Sequence, residues 1–131
     1  MSFVQAIDLS RTFDLSDPFI VRAISRSPKR ILTAVDRVSF SIEKGTTYAL
    51  VGESGSGKST IAKMAVGLLR PTNGSLLVDG MNLNDPKLAK EETLALRRRI
   101  QMVFQSPYAS LNPRWRVKDI LSEPIKAFNL I

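Results

Sequence analysis

The sequence predicts an α/β fold built around a phosphate-binding loop, and three features in tandem carry that expectation. A short apolar run, Thr46 to Val51, leads directly into Gly52-Glu53-Ser54-Gly55-Ser56-Gly57-Lys58-Ser59. That octapeptide satisfies the Walker A pattern G-x-x-x-x-G-K-[ST], whose required context is a preceding strand and a following helix. Beyond it, Ser59 to Leu69 sets Ile61, Ala65 and Leu68 at helical spacing. The order is strand, glycine loop, helix.

The loop's composition matches the chemistry of a triphosphate. Glycines at 52, 55 and 57 let the backbone take positive φ and bring its N–H groups close to phosphate oxygens with no Cβ in the way. The N-terminus of the following helix adds its partial positive charge. Lys58 is then placed to reach β- and γ-phosphate oxygens, and the Ser59 hydroxyl suits Mg²⁺, a hard cation that prefers oxygen. Thr60 offers a further hydroxyl to the α-phosphate. The expected nucleotide contacts are therefore Gly52, Glu53, Ser54, Gly55, Ser56, Gly57, Lys58, Ser59 and Thr60.

Composition removes several other classes. The chain has 131 residues, 44% of them hydrophobic and 24% charged, which fits a folded domain with one core. With no cysteine and no histidine, disulfides, thiolate metal sites and an imidazole proton shuttle are all excluded for this segment. No apolar run approaches the roughly 18 residues of a membrane span, and Met1 to Ser10 lacks the order of a signal peptide, so a cytoplasmic location is expected. The net charge of +7 invites a nucleic-acid reading. Yet Arg22, Arg26, Lys29, Arg30 and Arg97 to Arg99 are scattered and lack interleaved aromatics, so no specific nucleic-acid partner is expected.

Either side of the loop, Val4 to Leu9 and Ala34 to Ile42 read as strands, the second alternating Val38, Phe40 and Ile42 before the Glu43-Lys44-Gly45 turn. Between them, residues 14–33 mix Ser, Asp, Pro and basic residues and read as an exposed insertion loop. Arg70 to Gly74 ends the helix, Ser75 to Val78 is a strand closed by Asp79-Gly80, and Lys87 to Arg98 is a helix with Leu88, Leu94 and Leu96 as apolar contacts. Ile100 to Phe104 reads as a compact strand, and Val117 to Ile131 as a helix broken near Pro124.

A Walker A loop alone leaves GTPases, kinases, helicases and transporters open, and the neighbouring residues narrow the choice. The run Ala34 to Lys63, AVDRVSFSIEKGTTYALVGESGSGKSTIAK, resembles the ABC ATPase family. Met102-Val103-Phe104-Gln105 looks like that family's Q-loop. Gln105 to Arg114, QSPYASLNPR, is similar to the segment that follows the Q-loop in the dipeptide and oligopeptide import branch, with Ser106 standing where aspartate is common. The resemblance implies a P-loop NTPase of ABC type: an antiparallel β-subdomain, the start of the parallel-sheet core and the start of the helical subdomain, together an incomplete domain. Residues 1–105 would form the N-terminal part of the ATP-binding domain, and 106–131 the post-Q-loop segment.

The same resemblance assigns roles. Gln105 is the implied catalytic residue, contacting Mg²⁺ and the attacking water, so the implied metal contacts are Ser59 and Gln105. Phe13, in Ser10-Arg11-Thr12-Phe13, matches the aromatic residue that stacks on adenine, with a core position as the alternative. Tyr108 and Trp115 are either partner-facing anchors or local packing residues. The implied cofactors are ATP and Mg²⁺. Implied partners are transmembrane permease subunits, met through residues after Gln105, and a second ATP-binding subunit, with the assembly on the cytoplasmic face of the membrane.

No LSGGQ signature, no apolar run ending in Asp-Glu and no histidine occur in the sequence. The segment taken alone is accordingly expected to bind nucleotide weakly and not to hydrolyse it, with Thr46 to Val51 left as an edge lacking a parallel neighbour. ATP hydrolysis driving peptide import is the expectation for the complete protein. A non-hydrolysing nucleotide-binding segment and a soluble, non-transport ABC protein are the alternatives.

Overall fold

A computed structural model describes residues 2–16, 28–106 and 110–130. The chain forms two compact units, Met1–Leu88 and Ala89–Ile131, in place of the single core expected from its length. Each is described by itself.

The first unit is built on a four-stranded antiparallel sheet in the order β2-β1-β3-β4. Its strands are β1 (Ser2–Asp14), β2 (Ile31–Glu43), β3 (Asn73–Val78) and β4 (Met81–Asn82). β1 and β2 pair along their whole length, from Ser2 opposite Glu43 to Asp14 opposite Ile31. Past the last pair, the Leu15 N–H donates to the Arg30 carbonyl at 2.8 Å and the Arg30 N–H to Ser16 Oγ at 2.8 Å. The expected insertion of residues 14–33 is thus narrower than its polar composition implied, because both ends are drawn into a long hairpin ladder. Residues 17–27 of that stretch lie outside the described residues.

Two of this hairpin's four register shifts lie at its middle. Asp8 and Arg37 both take left-handed φ values, 47° and 45°, and the β1–β2 register shifts between Ala6 and Leu9 and again between Leu9 and Arg11. A bulge inserts one residue and moves the inward face by one position. Burial therefore passes from Val4 and Ala6 to Leu9. Ser10, a buried polar residue, ties the two irregular stretches together: its Oγ accepts the Arg37 N–H at 2.9 Å. Opposite Asp8, Gly74 (φ 81°) is in contact with the Ile7 and Asp8 carbonyls where a Cβ would sit, so only glycine fits β3 at that point.

β3 returns into β4 through Asp79-Gly80, with φ values of 51° and 79°, the two-residue arrangement whose twist suits a hairpin. Val4, Ala6, Leu9, Val35, Leu76 and Val78 supply the buried apolar face. To these α1 (Lys58–Ala65) adds Ile61 and Met64, three residues apart on one helical face.

The helix is shorter than the expected Ser59 to Leu69. Gly67, at φ 72°, stops it with a Schellman motif: the Leu68 N–H donates to the Lys63 carbonyl at 2.9 Å and the Gly67 N–H to the Met64 carbonyl at 3.0 Å. Leu68 consequently leaves the helical face and is exposed.

Thr46 to Val51, expected as a strand, forms none. No strand of the described residues lies beside it to complete a ladder, and Val51 is 93% exposed. Tyr48 gives the run a different anchor by stacking on Phe40 of β2, with ring centroids 5.5 Å apart. All pairing among the described strands is antiparallel, so the start of a parallel sheet is not seen.

The second unit carries α2 (Lys90–Arg99) and α3 (Val117–Ala127). Glu92 caps α2 by accepting the Ala89 N–H at 3.0 Å, and Glu91 with Glu92 at one end and Arg97 to Arg99 at the other complement the helix dipole. Leu96 is its fully buried residue. The expected strand Ile100 to Phe104 is irregular, with Val103 94% exposed, again for want of a pairing partner among the described residues. α3 continues through Pro124 to Ala127 without the expected break; proline removes one backbone donor there, and the later Phe128 N–H still finds the Pro124 carbonyl at 3.0 Å.

Candidate nucleotide-binding loop

The glycine loop owes its position to a bulge on β2. Arg11 pairs with Val35 and Thr12 with Thr33, so Ala34 is the extra residue between them. The backbone of Gly57 lies directly against the Ala34 carbonyl and the Val35 side chain, where a Cβ would collide. Gly57 is also the N-cap of α1, with φ 90° and ψ 0° in the left-handed region. Both facts demand glycine at 57. The loop is pressed onto the sheet on one side and opens to solvent on the other, since residues 51–56 are exposed.

At the head of α1 the geometry is that of an anion site. The Gly57 cap makes no side-chain hydrogen bond to the first turn of the helix, and the Ile61 N–H donates to the Gly57 carbonyl at 2.9 Å. First-turn N–H groups of a helix have no intrahelical acceptor, and their dipoles add to a partial positive charge. No acidic residue lies in that first turn.

Lys58 closes the loop on itself. Its ammonium donates to the Gly52 carbonyl at 2.7 Å, the Glu53 carbonyl at 2.5 Å and Ser56 Oγ at 3.3 Å, which uses all three of its protons. The cation is held among neutral oxygens. A phosphate oxygen makes a stronger, charge-assisted bond than a carbonyl does, so an arriving polyphosphate competes well for these protons.

Phe13 sits near the same bulge. It pairs with Leu32, two residues before Ala34, so the sheet brings the ring's strand position and the last glycine of the loop to either side of one irregularity. The Phe13 ring is half-buried and carries the Arg11 guanidinium at 4.7 Å from its centroid. Arg11 was not singled out from the sequence. Its signal was the two-residue spacing to Phe13, which in a strand puts both side chains on one face.

Gln105 belongs to the second unit, where it is exposed and lines an open cavity of about 370 Å³ with Phe104, Ser106 and Ser110. Trp115 is half-exposed and borders an open groove of about 310 Å³ with Asp119, Ser122, Glu123 and Lys126. Tyr108 lies outside the described residues. Among the described residues no cluster of three acidic, histidine or cysteine side chains could hold a metal ion. The Ser59 hydroxyl, exposed in the first turn of α1, is the kind of oxygen donor that Mg²⁺ accepts alongside phosphate and water.

Fold and loop together define a P-loop unit of the ABC ATPase type. Residues 35–127 match the family model described as ABC transporter, and the chain belongs to that family. A putative oligopeptide transport ATP-binding protein, YkfD of Bacillus subtilis (strain 168), is 49% identical over 102 residues, which cover 78% of this chain and 30% of that protein. The dipeptide transport ATP-binding protein DppF of Escherichia coli (strain K12) is 42% identical over 124 residues, covering 93% of this chain and 34% of its own length. Among solved structures, a dimeric post-hydrolysis state of the ATP-binding cassette MJ0796 bound to ADP and Pi aligns with TM-score 0.56 and 27% identity, over 72% of this chain and 35% of that one. The chain spans about a third of the length of these curated relatives. No helix among the described residues is long and apolar enough to cross a membrane.

Proposed function

We propose that this chain is the nucleotide-binding N-terminal part of an ATP-binding subunit that powers peptide import. The observation that carries the reading is the glycine loop at the head of α1, fixed on the sheet by the approach of Gly57 to Ala34 and lined by the ammonium of Lys58. The transport ATP-binding proteins it is similar to support the substrate class.

In this reading the triphosphate lies in the loop, where the backbone N–H groups of residues 54–60 and Lys58 neutralise its charge. Thr60 would contact the α-phosphate; Ser59 would hold Mg²⁺, with Gln105 as its further ligand in the complete protein, and the ion would supply charge neutralisation. Gln105 orients the attacking water. Phe13 stacks on the adenine. Residues 1–105 serve nucleotide binding, and 106–131 begin the segment that meets the permease subunits at the cytoplasmic face of the membrane. Hydrolysis would require a second ATP-binding subunit.

Two measurements check these roles. Phe13→Ala is expected to lower ATP affinity roughly fivefold, the loss of one aromatic stack, while Phe13→Tyr and Phe13→Trp retain it. Equal affinity in all variants by isothermal calorimetry removes Phe13 from the site. In the complete subunit with its partner, Gln105→Ala is expected to lower kcat more than it weakens ATP binding, because positioning water matters in the reacting state. A loss confined to binding contradicts that role.

A further inference from the structure

Phe13 is not a free ring on the surface of its strand. Arg11 lies over one face of it, 4.7 Å from the centroid, within reach of a cation–π attraction. The same guanidinium is tied elsewhere: its Nη1 donates to the Arg70 carbonyl at 2.8 Å, in the turn that leaves α1. Around that bond the turn is stitched to β1 by the Thr72 N–H to the Ser10 carbonyl at 2.8 Å and by the Thr12 N–H to Thr72 Oγ1 at 3.1 Å. Arg11 Nε is shielded from solvent and finds no acceptor among the described residues, so stacking on Phe13 and the Nη1 bond are what hold the plane of the guanidinium.

We propose that Arg11 is a positioning residue for the base: it backs one face of Phe13, leaves the other to the adenine, and locks the ring to the turn that ends the phosphate-loop helix. The proposal rests on the reading that Phe13 receives the base. Two physical effects follow from this placement. A ring whose rotamer is already held loses less conformational freedom when the base arrives. The cation on the far face also fixes the ring relative to α1, so that base and triphosphate are presented to one nucleotide at a set separation.

The test compares two probes on the complete subunit, Mg-ATP and magnesium tripolyphosphate, the second lacking a base. Arg11→Gln is expected to weaken Mg-ATP roughly two- to fivefold, the range of an exposed cation–π contact, and to leave tripolyphosphate unchanged. In a Phe13→Ala background, Arg11→Gln is expected to add no further loss. Arg11→Lys, which keeps the charge and the donor but not the flat stacking surface, is expected to fall between the two and carries the test if Arg11→Gln does not fold. Unchanged or tighter ATP binding in the Arg11 variants, with Phe13→Ala still weakening it, overturns the proposal, as does an equal loss for both probes. If Phe13→Ala leaves ATP binding unchanged, the base reading itself fails and the role of Arg11 falls with it.

Discussion

Lys58→Ala is expected to weaken ATP binding by about ten- to a hundredfold, corresponding to roughly 1.5–3 kcal/mol for a hydrogen bond to a charged group. The structure adds a second consequence. Because the ammonium bridges the Gly52 and Glu53 carbonyls and Ser56 Oγ, its removal also takes these three bonds out of the loop. The loss is expected to exceed that of Lys58→Arg, which keeps a charge but replaces a compact ammonium with a planar fork. Calorimetric titration of the folded variant checks this, and unchanged affinity in Lys58→Ala refutes the phosphate role.

Gly57→Ala is expected to be the most damaging single change in the loop. A left-handed conformation costs a residue bearing a Cβ about 1–2 kcal/mol, and the new methyl would press on the Ala34 carbonyl, which is backbone and cannot rotate away. The combined effect is expected to be on the order of 2–4 kcal/mol, expressed as lost stability, lost nucleotide affinity or both. Gly55→Ala is the informative control. Gly55 also has positive φ, at 84°, yet nothing lies within 4 Å of where its Cβ would stand. It is expected to lose only the conformational part. Similar melting temperatures and ATP affinities for Gly57→Ala and the parent chain would show that the approach to β2 does not position the loop.

These two glycines also show how much the sequence could say. The phosphate loop was legible because its chemistry is local: eight consecutive residues fix a turn, a helix start and a cation. What places the loop on the sheet was not legible, because the Ala34 bulge comes from a register shift between strands that no single segment contains. Short apolar runs suggest strands at Thr46 to Val51 and Ile100 to Phe104, but such runs become strands only beside a pairing partner. Neither has one among the described residues. At the end of α1, Gly67 was the stop signal, but the louder Arg70 to Gly74 turn masked it. Polarity reads residues 14–33 as loop, yet at their described ends Asp14 and residues 31–33 pair in a hairpin ladder, which satisfies the backbone with little regard to whether side chains are polar. Arg37 carries no sign of its left-handed backbone, and Asp8 only the weak preference that aspartate shares with asparagine.

Hydrogen exchange of the complete subunit, read residue by residue with and without Mg-ATP, shows whether nucleotide binds at the glycine loop, because it reports where the nucleotide sits without altering any side chain. Slowed exchange is expected at the amides of residues 54–60, exposed or half-buried here at the head of α1, with a smaller change around Phe13. Saturating Mg-ATP that leaves those amides unprotected, while slowing exchange elsewhere in the subunit, would contradict binding at the loop.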